Sequence, residues 1–157
     1  LGDSAGFFFP ALPTLPLMIG FFALAHLVYI WLFMKHLAVR RIPRWSIVFA
    51  LWWIVLIVVL WPHLGGLAIA VALYGLVLGG TAAASTRASR IVTWGGVLFL
   101  TSDTLLAFLL FTPEFVPPLT DPAVMLTYTL GQGLIAAGTV LAVSRMNRTT
   151  HTEARTV

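Results

Sequence analysis

The chain has 157 residues, of which 60% are hydrophobic and only 9% are charged, with a formal net charge of +4. A soluble domain carries about 25% charged residues, so this composition excludes an ordinary soluble protein and indicates an integral membrane protein. The absence of cysteine excludes thiol catalysis, disulfides and cysteine-ligated metals. The positive residues flank apolar runs, which is a sign of membrane topology and not of nucleic-acid binding.

Five apolar runs are long enough to cross a hydrocarbon core about 30 Å thick, which takes about 20 helical residues. The sequence therefore predicts an all-α, polytopic transmembrane helix bundle that forms a single membrane domain over residues 1–157. Residues 1–9 are predicted to be the end of a truncated preceding helix, and residues 144–157 a cytoplasmic tail. The five full spans are placed at about 16–34, 45–61, 64–84, 91–111 and 122–143.

Basic residues occupy alternate loops and the C-terminal tail, whereas the two other loops hold His63, Glu114 and Asp121. Because loops rich in Lys and Arg face the cytoplasm, we expect the C-terminus on that side of a bacterial inner (cell) membrane. We interpret the arginines as topology signals that contact anionic head groups, and Glu114 and Asp121 as solvated charges. The basic positions are Lys35, Arg40, Arg41, Arg44, Arg87, Arg90, Arg145, Arg148 and Arg155.

Asp103 lies in the middle of the fourth predicted span. A carboxylate at that depth costs at least about 2.5 kcal/mol of insertion free energy, which favours a functional role. The alternative is a protonated acid that holds helices together through a hydrogen bond. Asp3 occurs in a similar apolar setting. The neighbouring hydroxyls of Thr101, Ser102 and Thr104 could bind Asp103 or bond back to carbonyls one turn earlier.

Each of these two acids is followed by a Phe-rich helix end, a Pro-rich turn and a span that carries two polar side chains. This similarity suggests a parallel internal repeat, and such repeats often enclose a site near the bilayer midplane. The paired polar residues share a helix face in each case, and the alternative role for them is hydrogen bonding between helices. They are His26 with Tyr29, and Tyr128 with Gln132.

Two stretches of the chain each combine an acid with a later pair of polar residues. The first is Leu1-Gly2-Asp3 followed by Gly20-Phe21-Phe22-Ala23-Leu24-Ala25-His26-Leu27-Val28-Tyr29-Ile30. The second is Gly95-Gly96-Val97-Leu98-Phe99-Leu100-Thr101-Ser102-Asp103-Thr104-Leu105-Leu106-Ala107 followed by Tyr128-Thr129-Leu130-Gly131-Gln132-Gly133-Leu134-Ile135. They resemble the two signatures of the YhhN-like, lysoplasmalogenase family of membrane proteins. By this resemblance the chain corresponds to the last two-thirds, and so to a fragment, of a roughly eight-span protein.

The resemblance implies a membrane hydrolase that cleaves the vinyl ether bond of a lysophospholipid without a cofactor or metal. The products are a fatty aldehyde and a glycerophospho-alcohol. The family acids fall on Asp3 and Asp103, which we expect to form the catalytic acid–base pair. The residues expected to bind the substrate are His26, Tyr29, Ser102, Tyr128 and Gln132.

Two other functions fit the same acids. Intramembrane carboxylates also mark ion pathways, so the chain could be a small ion- or proton-coupled transporter. It could also be a non-enzymatic subunit of a larger membrane assembly. The oligomeric state is left open by the sequence.

Overall fold

Five α-helices make up most of the chain in this computed structural model, which describes residues 14–153 and the side chains of residues 14–144. The helices are α1 (Thr14–Lys35), α2 (Ile47–Leu60), α3 (Ala68–Ser85), α4 (Arg90–Phe111) and α5 (Thr120–Glu153). Short 3-10 turns lie between them, at Arg44–Ser46, Trp61–His63, Gly65–Leu67 and Pro113–Phe115. No strand occurs within the described range. The prediction of an all-α bundle with five helices long and apolar enough to cross a membrane is confirmed.

The helix ends follow local chemistry. The Ser89 hydroxyl accepts a hydrogen bond from the Val92 N–H at 3.4 Å and so caps the start of α4. Pro113 follows the end of α4, since proline cannot continue a helix. Gly65 adopts φ = +50° in the turn before α3, a left-handed conformation that glycine reaches without steric cost. The helix α5 continues through Glu153, past the predicted span end at 143.

The helix α3 lies in the centre of the bundle and packs against α1, α2 and α4. The side chain of Trp53 in α2 donates to the Ala72 carbonyl of α3, and Tyr74 of α3 reaches Asp103 of α4. In the span that contains α3, 39% of residues are buried, compared with 11% for α1. The central position of α3 matters for function, because its side chains can reach both α1 and α4.

The closest helix contact is between α4 and α5, where three glycines permit the backbones to approach. A Cβ added to Gly131 would lie 2.9 Å from the Phe99 nitrogen, and one added to Gly95 would lie 2.9 Å from the Gly131 carbonyl oxygen. At Gly138 an added Cβ would meet the Val92 side chain at 2.6 Å. Small residues at such crossings are typical of membrane helices. This packing fixes α4, which carries Asp103, against α5.

Large apolar side chains cover the outside of the bundle. Leu24, Val58 and Ile69 are 60%, 68% and 71% exposed, and each belongs to a different helix. A helix that is apolar on all sides is typical of a membrane span. The exposed surface is therefore suited to hydrocarbon, and the chain is a multi-pass membrane protein.

Candidate active site

A cavity of about 300 Å³ lies between α1, α3, α4 and α5, at the end of the bundle away from the basic loops. We call this end the cavity end. Most of the wall is aliphatic or aromatic, which suits a hydrocarbon chain better than a polar solute. Apolar residues of the wall include Met18, Ile19 and Phe22 from α1, Leu106 and Leu110 from α4, and Met125 from α5.

Asp103 is the acid on the inner wall of this cavity, and Tyr74 lies beside it. The Tyr74 hydroxyl donates a hydrogen bond to the Asp103 carboxyl oxygen Oδ2. Both side chains are partly buried, and they come from different helices. Ser102 and Tyr128 also line the cavity. The arrangement places a carboxyl group, with a hydroxyl donor to it, against an otherwise apolar space.

Hydrogen bonds on both sides of Asp103 fix α4 in place. The Ser102 hydroxyl donates to the Val124 carbonyl of α5 at 3.1 Å. On the opposite side, the Trp52 indole of α2 donates to the Thr104 hydroxyl at 3.1 Å, and that hydroxyl donates to the Leu100 carbonyl at 2.7 Å. The hydroxyls that flank Asp103 therefore bind backbone carbonyls, whereas the Tyr74 hydroxyl donates to its carboxyl group from another helix.

A polar and aromatic layer lies about one helical turn deeper than the cavity. The Tyr29 hydroxyl donates to Gln132 Oε1 at 2.9 Å and joins α1 to α5. His26 is only 1% exposed, and its ring packs edge-on against Phe99, with 4.7 Å between the centroids. Among the described residues, neither ring nitrogen of His26 has a hydrogen-bond partner. The ring of Tyr74 is 6.0 Å from that of His26, so this layer contacts the cavity wall.

The structure thus divides the residues singled out in the sequence into two levels. Ser102, Asp103 and Tyr128 line the cavity. Beneath them are His26 and the Tyr29–Gln132 pair, which do not belong to its wall. Asp3 lies outside the described residues.

Two side chains that line the cavity, Tyr74 and Asp121, are not predicted as site residues by the sequence. Tyr74 is the single titratable residue in its predicted span. A lone polar side chain in an apolar helix indicates a candidate site residue. The sequence predicts Asp121 to be a solvated loop charge; in the structure it is exposed and also lines the cavity from the first turn of α5. It lies seven residues before Tyr128, or about 10 Å along the helix axis. Asp121 therefore marks the outer part of the cavity.

No group of three or more His, Asp or Glu side chains that could hold a metal ion occurs in the described part of the chain. The features present are a helical membrane bundle and a carboxyl group that faces an apolar cavity at membrane depth. They define a multi-pass membrane protein with an internal, mainly apolar cavity that contains a carboxyl group.

The family model of the YhhN family matches residues 12–139, which is most of the chain. The chain therefore belongs to the YhhN family, and the resemblance noted in the sequence is confirmed at that level. Asp103 lies within the matched range, as do Tyr74 and Tyr128, whereas Asp3 precedes it. Comparison with curated proteins and with solved structures gives no match.

Proposed function

We propose that this protein is a lysoplasmalogenase-like hydrolase that cleaves the vinyl ether bond of a single-chain ether phospholipid. The observation that carries the proposal is the Asp103 carboxyl group, which accepts a hydrogen bond from Tyr74 and faces an apolar cavity. Membership of the YhhN family supports it. An acid at this depth is costly, so a chemical role accounts for its presence better than helix packing does.

The cavity suits an amphiphile with one hydrocarbon chain. Its volume of about 300 Å³ is at the lower end of the range for small-molecule sites, and its wall is mainly apolar. Asp121, on the wall near the start of α5, is exposed and could attract an ammonium group. The ether linkage would then lie deeper, near Asp103, with the head group at the cavity end of the bundle.

The reaction needs a proton donor and a water molecule. Asp103, as a carboxylic acid, donates its proton to the alkene carbon remote from the ether oxygen, and the oxygen lone pair stabilises the resulting oxocarbenium ion. Water adds to the carbon next to oxygen and gives up a proton to a carboxylate. The hemiacetal then gives its hydroxyl proton to a carboxylate while its bond to the glycerol oxygen breaks and that oxygen takes up a proton from a carboxylic acid. This step releases a fatty aldehyde and the glycerophospho-alcohol. Glycosidases use paired carboxyl groups for a related oxocarbenium ion.

Tyr74 has a positioning role in this proposal. Its hydroxyl donates to Asp103, and a donated hydrogen bond favours the carboxylate that forms when the proton leaves. The bond also orients the carboxyl group toward the cavity, because α3 and α4 are packed together around it. Proton transfer to carbon would therefore be slower without the tyrosine hydroxyl.

Asp3 is proposed as the second acid, which stabilises the cation or activates water. This assignment rests on the family resemblance of Leu1-Gly2-Asp3. An Asp3→Asn variant tests it separately from Asp103. Loss of turnover in both variants would support a catalytic pair of acids. Normal turnover in Asp3→Asn would contradict a catalytic role for Asp3.

The direct test is to incubate the purified protein, in detergent micelles or liposomes, with a 1-alkenyl lysophospholipid and to measure free aldehyde. The matched control substrate is the 1-alkyl lysophospholipid of the same chain length, which has no alkene to protonate. We expect aldehyde from the first lipid only. Absence of aldehyde together with pH-dependent ion flux in liposomes would contradict the hydrolase and favour the transporter.

A further inference from the structure

The two basic loops at the end of the bundle opposite the cavity are joined directly to each other. We call this end the basic end. The backbone N–H groups of Val39 and Arg40 both donate to the Arg87 carbonyl oxygen, at 2.9 and 3.2 Å. The loop between α1 and α2 is therefore held against the turn between α3 and α4. This backbone connection does not depend on any side chain.

Two arginines of these loops, Arg40 and Arg87, donate to neutral acceptors. Arg40 donates through Nε to the Thr86 carbonyl and through Nη2 to the Thr93 hydroxyl at 3.3 Å. Arg87 donates through Nε to the Arg40 carbonyl at 3.2 Å and through Nη1 to the Met34 sulfur at 3.4 Å. A guanidinium has five N–H donors, so about three remain on each arginine for another ligand. We call these two side chains the arginine pair.

The charge around the arginine pair is positive. Every Lys and Arg whose side chain is described lies at the basic end. Of the described acidic side chains, Asp103 lies within α4, and Glu114 and Asp121 lie at the cavity end. Within the described side chains, no carboxylate therefore balances the arginine pair. Two guanidinium groups on loops that are hydrogen-bonded to each other, without an acid beside them, favour an anionic ligand.

The surroundings of the arginine pair place it at the depth of lipid head groups. Trp94, one turn into α4, is 64% exposed, and Trp45, at the start of the turn before α2, is 53% exposed. Exposed tryptophans at span ends are typical of the membrane interface. Val39, next to Arg40, is 77% exposed and adds an apolar contact that a soluble anion would not use.

We propose that the arginine pair, Arg40 with Arg87, binds the phosphate group of an anionic phospholipid. Guanidinium groups match phosphate oxygens with two parallel hydrogen bonds, and they desolvate more easily than an ammonium group. The lipid head group bridges the two loops and adds to the backbone contacts that hold them together. The site lies at the end opposite the cavity, so it is independent of the proposed hydrolase chemistry.

The test is native mass spectrometry of the full chain, freed of lipid and titrated with phosphatidylglycerol or phosphatidylcholine of the same acyl chains. We expect tighter binding of phosphatidylglycerol, and a loss of at least about tenfold in the double variant Arg40→Gln/Arg87→Gln, since a hydrogen bond between charged groups contributes about tenfold or more. The matched control is the double variant Lys35→Gln/Arg44→Gln, which removes two charges from the same end. It should retain most of the preference.

Three results would overturn the proposal. Equal binding of the two lipids would show no anion selectivity, and an equal loss in the two double variants would reduce the effect to general charge. Competition by glycerophosphate at the same concentration as the lipid would indicate a soluble anion. If the glutamine variant fails to fold, the double variant Arg40→Lys/Arg87→Lys keeps both positive charges and removes the planar guanidinium groups that can donate two parallel hydrogen bonds. It should bind phosphatidylglycerol several-fold more weakly, and unchanged binding would contradict the site.

Discussion

The Tyr74 hydroxyl of α3 donates a hydrogen bond to the Asp103 carboxyl group of α4, inside the cavity that these helices share with α1 and α5. The two residues reach each other because α3 packs against α4. The pair gives the proposed hydrolase a proton donor and a group that stabilises its conjugate base.

Replacement of Tyr74 by Phe tests the positioning role. A hydrogen bond to a charged group contributes about 1.5–3 kcal/mol, so kcat for the alkenyl lipid should fall about tenfold to a hundredfold. KM should change much less, because the ring still fills its place in the wall. The control is Trp53→Phe, which loses a hydrogen bond to the Ala72 carbonyl away from the cavity and should keep its turnover. A normal kcat in Tyr74→Phe would exclude the role.

Asp121 should affect substrate binding and not the chemical step. Asp121→Asn removes a charge from the cavity wall, so KM for a lipid with an ammonium head group should rise several-fold while kcat stays within about twofold. The matched control is Glu114→Gln, an exposed acid at the same end of the bundle that does not line the cavity. Steady-state kinetics of the two variants compare them directly. An equal change in both KM values would indicate a general charge effect.

Gly131 should be sensitive to the addition of one methyl group. In Gly131→Ala the new Cβ would lie 2.9 Å from the Phe99 nitrogen, so the backbones of α4 and α5 must separate, at a cost of about 1–3 kcal/mol. Gly133 is two residues away on the same helix and has no heavy atom within 4 Å of an added Cβ. Thermal unfolding in detergent, followed by circular dichroism, should show a lower Tm for Gly131→Ala and no loss for Gly133→Ala. Equal Tm values would contradict the close crossing.

His26 should contribute little to stability through hydrogen bonds. Its two ring nitrogens are buried without partners among the described residues, so His26→Leu removes polar atoms that gain nothing from folding. The loss of edge-on contacts with Phe99 and Tyr29 opposes that gain. We expect the free energy of unfolding to change by less than about 1.5 kcal/mol. A loss of more than about 3 kcal/mol would instead show a strong polar partner in the folded protein.

Hydropathy predicts the fold of this chain well because each span must be about 20 apolar residues long, whatever its neighbours are. The end of α5 was less predictable. Hydropathy falls after Val143, yet the helix continues to Glu153, since backbone hydrogen bonding continues without an apolar side-chain sequence. Hydropathy thus reports where a span leaves the hydrocarbon and not where its helix ends.

The site is only partly predictable, for a different physical reason. The position of Asp103 in the middle of an apolar run predicts it as a site residue from the sequence of one helix alone. Ser102 is predicted because it is the adjacent residue. The hydrogen bond from Tyr74 to Asp103 depends on the packing of α3 against α4. The spacing of residues within one helix does not predict that packing. Likewise, the spacing of His26 and Tyr29 predicts a shared face but not whether that face meets the cavity or the layer beneath it.

The most direct test of the proposed function is aldehyde release from an alkenyl lysophospholipid by the wild type and by Asp103→Asn. The amide can still accept the hydrogen bond from Tyr74, so the variant should insert and fold, which its unfolding curve checks. We predict that wild-type protein releases aldehyde and that Asp103→Asn loses at least about a hundredfold in kcat, the usual contribution of a general acid. Wild-type turnover in a folded Asp103→Asn variant would contradict the mechanism.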